Sequence, residues 1–373
     1  MTHRERWLRT FRFEEVDHVP DIEFGYWDDT FKGWHQQGLP PQIDNNAIAD
    51  RYFGFAPSVG VPASVGLLPG FEYKVLEDKG DHRIIQDSQG VKCMVHSDGT
   101  DSIPRFLDWS LKTPDDWQQF KERLNPDDPR RYPDNWDEVV AELNASTLPV
   151  QIGCGSLFGR LRDWMGFENI AITIMEQTDW VEQMMEDLTN FYIGCLRRAV
   201  EQVRIDEGLF WEDMCFNYGP MISPKLFREL MTPRYKRITD FVKQAGAEVF
   251  TVDSDGDMTQ LVEHWLAGGV NCMFPVEIHA GSDPFAMRRE FGHEVLLQGG
   301  VNKRELAKGK AAIRREVDRM VDLVADGGFI PEVDHTVQPG VSYENYLYYL
   351  QCKRDALGIP DPWADGPPDP NSL

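Results

Sequence analysis

The sequence predicts an α/β protein with the (β/α)8 TIM-barrel fold and an elaborated N-terminal third. Its 373 residues, 41% of them hydrophobic, suit one large α/β domain better than several small ones. From about residue 149 onward, short apolar runs alternate with amphipathic helical stretches, and each run ends at a polar or glycine-rich loop. This alternation is typical of βα units repeated around a parallel sheet. We therefore expect one barrel domain over residues 1–358 and a loose, proline-rich tail over residues 359–373.

The regular part of the sequence predicts these strands: 148–153, 208–212, 248–253, 270–276, 295–299 and 329–333. Apolar residues at helical spacing predict a long outer helix over residues 178–204. Ser223-Pro224 and Thr232-Pro233 each join an N-cap residue to a proline, which predicts two helices in series, and Gly246 is placed as a C-cap. Further helices are expected over residues 258–267, 284–291, 303–325 and 343–357.

The N-terminal third is less regular. Residues 19–25 fit an opening strand, and residues 71–96 carry an alternating, glycine-punctuated pattern that predicts an inserted β-hairpin. We expect this hairpin to lie over the mouth of the barrel.

Composition restricts the possible partners. With 38 basic and 62 acidic side chains the formal net charge is −24, which opposes binding to nucleic acid or to an anionic membrane surface. The six cysteines are scattered without a CxxC pair, as expected for reduced thiols in the cytoplasm. The N-terminus lacks the apolar core of a signal peptide, and no 18-residue apolar run occurs. A small-molecule substrate is the expected partner.

Polar residues follow five consecutive predicted strands. Because the carboxyl ends of barrel strands converge on one mouth, these residues are expected to lie together. They are Trp211, Glu212 and Asp213, then Asp253 and Asp255, then Glu277 with His279, then Gln298, and finally Asp334 and His335.

Asp253, Asp255, Glu277 and His335 form a candidate ligand set from three strand ends. Carboxylates with an imidazole make a hard oxygen and nitrogen site that can hold Zn²⁺, Mn²⁺, Fe²⁺ or Mg²⁺. Two alternatives remain open from the residues alone. The same groups can form a metal-free acid–base site, or the carboxylates can simply cap helices and pair with bases.

Other residues are candidates for shaping the pocket. Arg160, close to Arg162, is a candidate for binding a carboxylate or phosphate of the substrate, with a surface ion pair as the alternative. Trp27 and Trp211 are candidate substrate-binding residues, with plain packing as the alternative. Glu212 is a candidate catalytic acid or base beside His335.

Several stretches resemble the uroporphyrinogen decarboxylase superfamily, which also contains corrinoid-dependent methyltransferases and is related in fold to cobalamin-independent methionine synthase. The resemblance covers roughly residues 145 to 355, and ERWLRTFRFEEVDHVP is similar to the family's opening segment. It implies a TIM barrel. The stretches that carry it are WEDMCFNYGPMISPKLFRELMTPRYKRI, VDSDGDM, AGGVNCMFPVEIHAG, LQGGVNKREL and DHTVQPGVSYENYLYYL.

The resemblance also implies a metal site. Zinc methyltransferases of the superfamily carry His-x-Cys at the fifth strand end and a cysteine at the eighth, and methionine synthase adds a glutamate at the sixth. These positions fall on Asp253, Asp255, Glu277 and His335, so the layout is kept and the thiolates are replaced. Zinc is the first expectation for the metal. Oxygen and nitrogen ligands suit polarising an oxygen, for example that of a methyl ether.

The leading hypothesis is a metal-dependent methyltransferase that demethylates a small substrate and passes the methyl group to a separate corrinoid protein. The first alternative is a metal-free decarboxylase, because His335 is similar to a histidine of uroporphyrinogen decarboxylases. Those enzymes hold substrate carboxylates with arginines where DIEFGYWDDTF places Glu23, Asp28 and Asp29, which disfavours that substrate. The second alternative is a non-catalytic tetrapyrrole binder.

Overall fold

The computed structural model describes residues 1–97 and 103–373. Within these residues, seven strands form one curved sheet in which all neighbours are parallel, in the order β1-β6-β7-β10-β11-β12-β13. The strands are β1 (Val59–Gly60), β2 (Lys74–Asp78), β3 (His82–Gln86), β4 (Lys92–His96), β5 (Arg105–Asp108), β6 (Val150–Gly155), β7 (Glu207–Trp211), β8 (Cys215–Phe216), β9 (Gly219–Pro220), β10 (Val249–Asp253), β11 (Cys272–Phe274), β12 (Leu296–Val301) and β13 (Phe329–Val333). This parallel sheet confirms the TIM-barrel fold class, and the six strands predicted from residue 148 onward correspond to β6, β7 and β10 to β13.

Helices connect the strands and cover the outside of the sheet. They are α1 (His3–Phe11), α2 (Asp28–His35), α3 (Asn46–Phe53), α4 (Pro114–Lys121), α5 (Trp136–Ala145), α6 (Phe158–Met165), α7 (Phe167–Glu176), α8 (Thr178–Gln202), α9 (Pro224–Leu226), α10 (Thr232–Val242), α11 (Val262–Ala267), α12 (Pro284–Phe291), α13 (Lys303–Leu306), α14 (Lys310–Asp318), α15 (Val321–Asp326) and α16 (Tyr343–Leu357). None of these helices combines the length and the apolar character that a membrane span requires.

The prediction of an opening strand over residues 19–25 is wrong, because these residues do not form a β-strand. The segment nevertheless fills the gap between β13 and β1. It contacts β13 through a side chain, because the Val333 amide donates to Glu23 Oε2 at 3.0 Å. On the other side, the Ala56 amide donates to the Asp21 carbonyl at 2.7 Å. Pro20 has no amide hydrogen, and Glu23 replaces a backbone acceptor, so the regular ladder of a strand does not form here.

The predicted hairpin over residues 71–96 is present within a larger element. Strands β2 to β5 form a four-stranded antiparallel sheet in sequence order. One side of this inserted sheet borders a cleft of about 1220 Å³, which is also lined by Trp211 and Asp213 at the end of β7.

Two helix predictions are corrected. Thr232 is the first residue of α10 and not its N-cap, because a π-helical turn over Phe227–Met231 joins α9 to α10 without a break. The Thr232 hydroxyl instead donates to the His264 carbonyl at 3.1 Å. The helix predicted over residues 303–325 is broken into α13, α14 and α15. One break falls at Gly309, whose φ of 97° cannot continue a helix. Ser223 and Gly246 cap their helices as predicted.

Side chains inside the barrel form two layers of different character. The lower layer is apolar and includes Val249, Cys272, Leu296 and Ile330, and Trp7 of α1 packs against it at the N-terminal end of the strands. Above it, the inward positions are mixed, with polar residues such as Thr251 and Gln298 beside Gly153 and a few apolar side chains. The apolar faces that point outward pack against the helices, so the chemistry-bearing residues are confined to the upper half of the barrel.

Residues 359–373 return along the N-terminal helices. The Trp363 indole nitrogen donates to the Tyr52 carbonyl at 2.8 Å, and its ring stacks on Phe53 with centroids 5.8 Å apart. These contacts hold this part of the segment against the body of the protein.

Candidate active site at the barrel mouth

Four of the predicted site residues lie at the carboxyl ends of three strands. Asp253 is the last residue of β10 and Asp255 follows two residues later, Glu277 follows β11, and His335 follows β13. The register of β10 with β11 pairs Asp253 with Phe274, so the first two strand ends meet at the same level. This arrangement is the usual location of catalytic groups in a TIM barrel.

The structure joins His335 to Asp255. Nε2 of the imidazole lies 3.2 Å from Asp255 Oδ2, and Nδ1 lies 2.8 Å from the Thr336 hydroxyl. Burial alone would lower the pKa of His335, but the hydrogen bond and the negative charge of Asp255 outweigh burial and raise it. The pair is therefore suited to holding a proton near neutral pH.

Aromatic rings surround the imidazole. Trp27 stacks on His335 with centroids 5.9 Å apart, and Phe24 meets it edge to face at 5.3 Å. Trp27 thus lies beside His335, and its role in binding substrate stays a prediction. Phe24 was missed by sequence reasoning, although it lies three residues before Trp27 in the same loop.

Asp253 is a second group that can carry a proton. Burial raises its pKa to about 7, and the negative charges of Asp255 and Asp213 act in the same direction. Near neutral pH the Asp253 carboxyl is therefore available both as an acid and as a base.

Glu277 is held by a lysine that sequence reasoning missed. Lys303 Nζ lies 3.0 Å from Glu277 Oε1, and the Gly256 amide donates to Glu277 Oε2 at 3.1 Å. Asp334 fixes the surrounding backbone, because it accepts from the amides of Lys303 at 2.9 Å and Ile278 at 3.1 Å. The sequence signal for this lysine was its position three residues after the glycine pair Gly299-Gly300, close to the end of a predicted strand.

These contacts do not fit a bound metal ion. Among residues 1–97 and 103–373, no three His, Cys, Asp or Glu side chains converge in a way that could hold one. Asp255 and His335 bind each other, and the Lys303 ammonium occupies Glu277, where it would repel a cation. The predicted set of Asp253, Asp255, Glu277 and His335 therefore shares a mouth without forming a coordination sphere.

Glu212 lies away from this group. Its buried carboxylate accepts hydrogen bonds from the Leu157 and Gly159 amides at 2.7 and 2.8 Å, from the Ser156 hydroxyl at 3.1 Å and from the Tyr235 hydroxyl at 2.7 Å. The two amides belong to the start of α6, where a negative charge is favoured by the helix dipole. Glu212 therefore positions α6 against β7 and does not face the mouth.

Backbone strain is concentrated at two strand ends around the mouth. Asp213 and Val276 have φ values of 41° and 46°, in the left-handed region that side chains other than glycine rarely adopt. Asp213 is held by Arg162, whose Nη1 lies 3.0 Å from Asp213 Oδ2. Strain of this kind is common at functional sites, where surrounding contacts hold it in place.

Below the mouth the barrel contains a chamber of about 410 Å³. Arg160, Trp211 and Asp253 line its upper part, so two of the predicted substrate-binding residues face it. The Arg160 guanidinium lies 5.9 Å from the Trp211 ring and 5.8 Å from the Trp164 ring. Within the described residues, it has no carboxylate within 4.0 Å, whereas neighbouring Arg162 is paired with Asp163 and Asp213.

Four polar side chains line the floor of this chamber: Gln151, Glu207, Thr251 and Gln298. Gln298 was among the polar strand-end residues predicted from the sequence, whereas the other three were missed. Gln151 and Thr251 each interrupt an apolar run, and that interruption is the signal that could have found them. Glu332 is buried beside Gln298. Burial raises the pKa of Glu207 to about 7 and that of Glu332 to about 8.

The fold and the site define a TIM-barrel protein with a proton-carrying pair at its mouth and a polar chamber beneath. The family model of uroporphyrinogen decarboxylase (URO-D) matches residues 97–355, more than half of the chain. The chain therefore belongs to the uroporphyrinogen decarboxylase family, as the sequence resemblance predicted.

Solved structures with a similar fold include a methyltransferase from Methanosarcina mazei. The TM-score is 0.59 at 15% sequence identity, with 95% of this chain and 98% of that chain covered. At this identity the likeness concerns the fold alone. Among curated proteins, no sequence matches this chain significantly.

Proposed function

We propose that this protein is a methyltransferase that removes a methyl group from a small substrate and passes it to a corrinoid carried by a separate protein. The observation that carries the proposal is the Asp255–His335 pair, with Nε2 3.2 Å from Oδ2 at the barrel mouth. Membership in a family with this fold and the likeness to a methyltransferase structure support it.

The pair supplies the proton that demethylation of an oxygen needs. When the methyl group leaves, the heteroatom of the substrate gains negative charge, and a protonated imidazole can neutralise it by donating a proton. Asp255 keeps His335 in the charged form and orients its ring, while Thr336 fixes the other ring nitrogen. Asp253 is placed to return a proton to the pair between turnovers, because its pKa of about 7 lets it exchange one near neutral pH.

A divalent metal, zinc first, remains a prediction for Asp253, Asp255, Glu277 and His335. Its binding would require Lys303 to leave Glu277 and the Asp255–His335 hydrogen bond to open. The proton-transfer role proposed for His335 does not depend on such a metal.

Exposed aromatic residues beside the mouth favour a protein partner. Tyr218, at the turn between β8 and β9, is 96% exposed, and Phe216 is 46% exposed. Phe216 meets Phe167 of α7 edge to face with centroids 5.3 Å apart. Both Phe216 and Tyr218 line a cleft of about 720 Å³ that also contains Asp255 and Glu277. An apolar rim around an active site is a typical docking surface, and here the partner would be the corrinoid protein.

The experiment is an assay of the purified protein with a corrinoid protein and a panel of small methyl ethers, in which demethylated product is quantified. We expect stoichiometric transfer of the methyl group from at least one methyl ether to the corrinoid protein. We expect no transfer when that methyl ether is omitted. Carbon dioxide release from pyrrole acetates, without any methyl transfer, would overturn the proposal. So would tight tetrapyrrole binding without turnover of any compound in either panel.

The second candidate is a metal-free decarboxylase, and Arg160 is the observation that favours it. The protein has a charge of −24, yet within its described residues the Arg160 guanidinium has no carboxylate partner. It can therefore bind a carboxylate of the substrate. The repulsion expected from Glu23 is offset, because Glu23 is buried and paired with Lys353 and Tyr349. Asp28 and Asp29 are exposed at the start of α2. Loss of carbon dioxide release in Arg160→Ala, with methyl transfer absent in the wild type, would favour this candidate.

A further inference from the structure

We propose that the chamber beneath the mouth is a ligand-binding site whose floor recognises an uncharged, hydroxyl-bearing end of a small molecule. This inference goes beyond the proposed methyl transfer, because it concerns what the chamber holds and not the reaction at the mouth. It rests on the polar floor, on the space above it and on the apolar walls around that space.

The floor is a hydrogen-bonded layer inside the barrel. Gln151 Nε2 donates to Glu207 Oε2 at 2.6 Å, and the Thr251 hydroxyl donates to Glu207 Oε1. On the opposite strands, Gln298 also lines the chamber, and Glu332 lies beside it. Glu332 is 1% exposed, and its Oε1 atom has no hydrogen-bond partner within the described residues.

A polar layer at this level is unusual and costly. The interior of a TIM barrel is normally filled by branched apolar side chains. A buried polar group without a partner costs about 1–3 kcal/mol, so apolar residues would stabilise the fold better. A layer of this kind is therefore better explained by a ligand that completes its hydrogen bonds than by stability.

The space for a ligand comes from missing side chains. Gly153 is an inward position of β6 that lines the chamber, and an added Cβ atom there would meet nothing within 4 Å. The walls above the floor are apolar, with Leu209 and Trp211 on β7 and Phe274 at the end of β11. A ligand that fits has an apolar or aromatic body and one polar end directed downward.

The charge of the floor decides the nature of that polar end. Amide groups and carboxyl groups can donate and accept, which matches a hydroxyl group, itself both a donor and an acceptor. A carboxylate would meet no lysine or arginine among the floor residues, so nothing there would offset the cost of burying its charge. The polar end that enters the floor is therefore uncharged.

The test uses three fluorinated probes that share one ring: 4-fluorophenol, 4-fluorotoluene and 4-fluorobenzoate. Binding to the purified full chain is measured by ¹⁹F NMR, with neither a methyl donor nor a corrinoid present. We expect 4-fluorophenol to bind about tenfold more tightly than either other probe, as one additional buried hydrogen bond allows. Failure of the methyl-transfer proposal would leave this result unchanged.

Three variants locate the site. Gln298→Leu should bring 4-fluorophenol to within about threefold of 4-fluorotoluene by removing a floor hydrogen bond. Gly153→Leu should weaken binding of 4-fluorophenol about tenfold or more by filling the chamber, without strain in the backbone. Lys112→Ala is the control. Lys112 lines the cleft of about 1220 Å³ beside the inserted sheet and not the chamber, so this variant should bind all three probes like the wild type.

Several results would overturn the proposal. One is the absence of detectable 4-fluorophenol binding to the wild type, and another is preferred binding of 4-fluorobenzoate. A third is unchanged 4-fluorophenol affinity in Gly153→Leu, which keeps the proposal falsifiable if Gln298→Leu does not fold.

Discussion

His335 combines partial burial with a carboxylate partner, and this combination determines its chemistry. Burial favours the neutral imidazole, whereas Asp255 favours the charged one, and the effect of Asp255 is larger because its oxygen lies within hydrogen-bond distance. The resulting rise in pKa keeps the acid form present at a higher pH than in a free histidine.

Replacing either member of the pair should change activity in a distinguishable way. His335→Gln should lower the rate of demethylation about 100-fold or more, as expected for loss of a general acid. Asp255→Asn removes the charge that raises the pKa of His335. The alkaline limb of the rate profile should therefore move to lower pH, because the acid form is then lost earlier as pH rises. Steady-state rates measured across the pH range, with folding verified by thermal melting, check both expectations.

An unchanged alkaline limb in Asp255→Asn, with normal folding, would contradict the role given to the pair. Glu277→Gln should move the limb in the same direction but less, because Glu277 acts on His335 through its charge alone, whereas Asp255 also holds a hydrogen bond.

Glu212 should be required for stability. Glu212→Ala leaves two amides and two hydroxyls without their acceptor in a buried place, and we expect the free energy of unfolding to fall by about 3 kcal/mol or more. Urea denaturation measures this. Exposed Glu229 lies on the neighbouring π-helical turn, and Glu229→Ala should leave the midpoint unchanged. A Glu212→Ala protein as stable as the wild type would contradict this assignment.

Some site residues could be predicted from the sequence and others could not, for a physical reason. Asp253, Asp255, Glu277 and His335 follow strands, so topology alone directs them to one mouth. Whether two of them touch depends on side-chain rotamers and on third residues such as Lys303, which the pattern of strand ends does not reveal. Glu212 also follows a strand, yet it turns toward α6.

At the scale of elements, an ion-pair cluster joins the segment over residues 19–25 to α16. Lys353 Nζ lies 2.8 Å from Asp21 Oδ1 and 2.5 Å from Glu23 Oε1, and Arg354 pairs with Asp21 at 2.8 Å. Because the segment lacks a regular strand ladder, these buried charges help to hold it where the barrel closes.

Removing the lysine should weaken that closure. Lys353→Met leaves buried Glu23 without a cation and Asp21 with Arg354 alone, and we expect a loss of about 3–5 kcal/mol in the free energy of unfolding. Chemical denaturation provides the measurement, and Lys310→Met, at an exposed ion pair with Glu344, is the matched control. Equal stability of the two variants would argue against the cluster as the connection that closes the barrel.

Elements with a strong internal pattern could be predicted from the sequence. The outer helix α8 and the helix α16 after Ser342 appear nearly as expected, because periodic apolar faces and a capping residue are local features. The segment over residues 19–25 could not be assigned correctly, because the β13 amide that donates to its Glu23 side chain lies more than 300 residues away in the sequence. The extra strands β4 and β5 likewise depend on pairing with β3 and with each other.

At the scale of the whole molecule, a charge of −24 is combined with an apolar rim beside the mouth. The charge discourages contact with other polyanions, so the rim should select a protein partner. Tyr218→Glu should raise the KM for the corrinoid protein about tenfold and leave the melting temperature unchanged, because Tyr218 is exposed. Tyr73→Glu, at another exposed tyrosine outside the clefts of the mouth, is the control. Identical KM values for both variants and the wild type would place the docking surface elsewhere.

The most direct test of the account is the pKa of His335, measured by NMR titration of protein labelled with ¹³C in its histidine rings. The resonance is assigned by its absence in His335→Gln. The account predicts a pKa above the ordinary histidine value of 6.5 in the wild type and a lower one in Asp255→Asn. A His335 pKa at or below the ordinary value, unchanged by Asp255→Asn, would contradict the claim that this pair carries the proton at the barrel mouth.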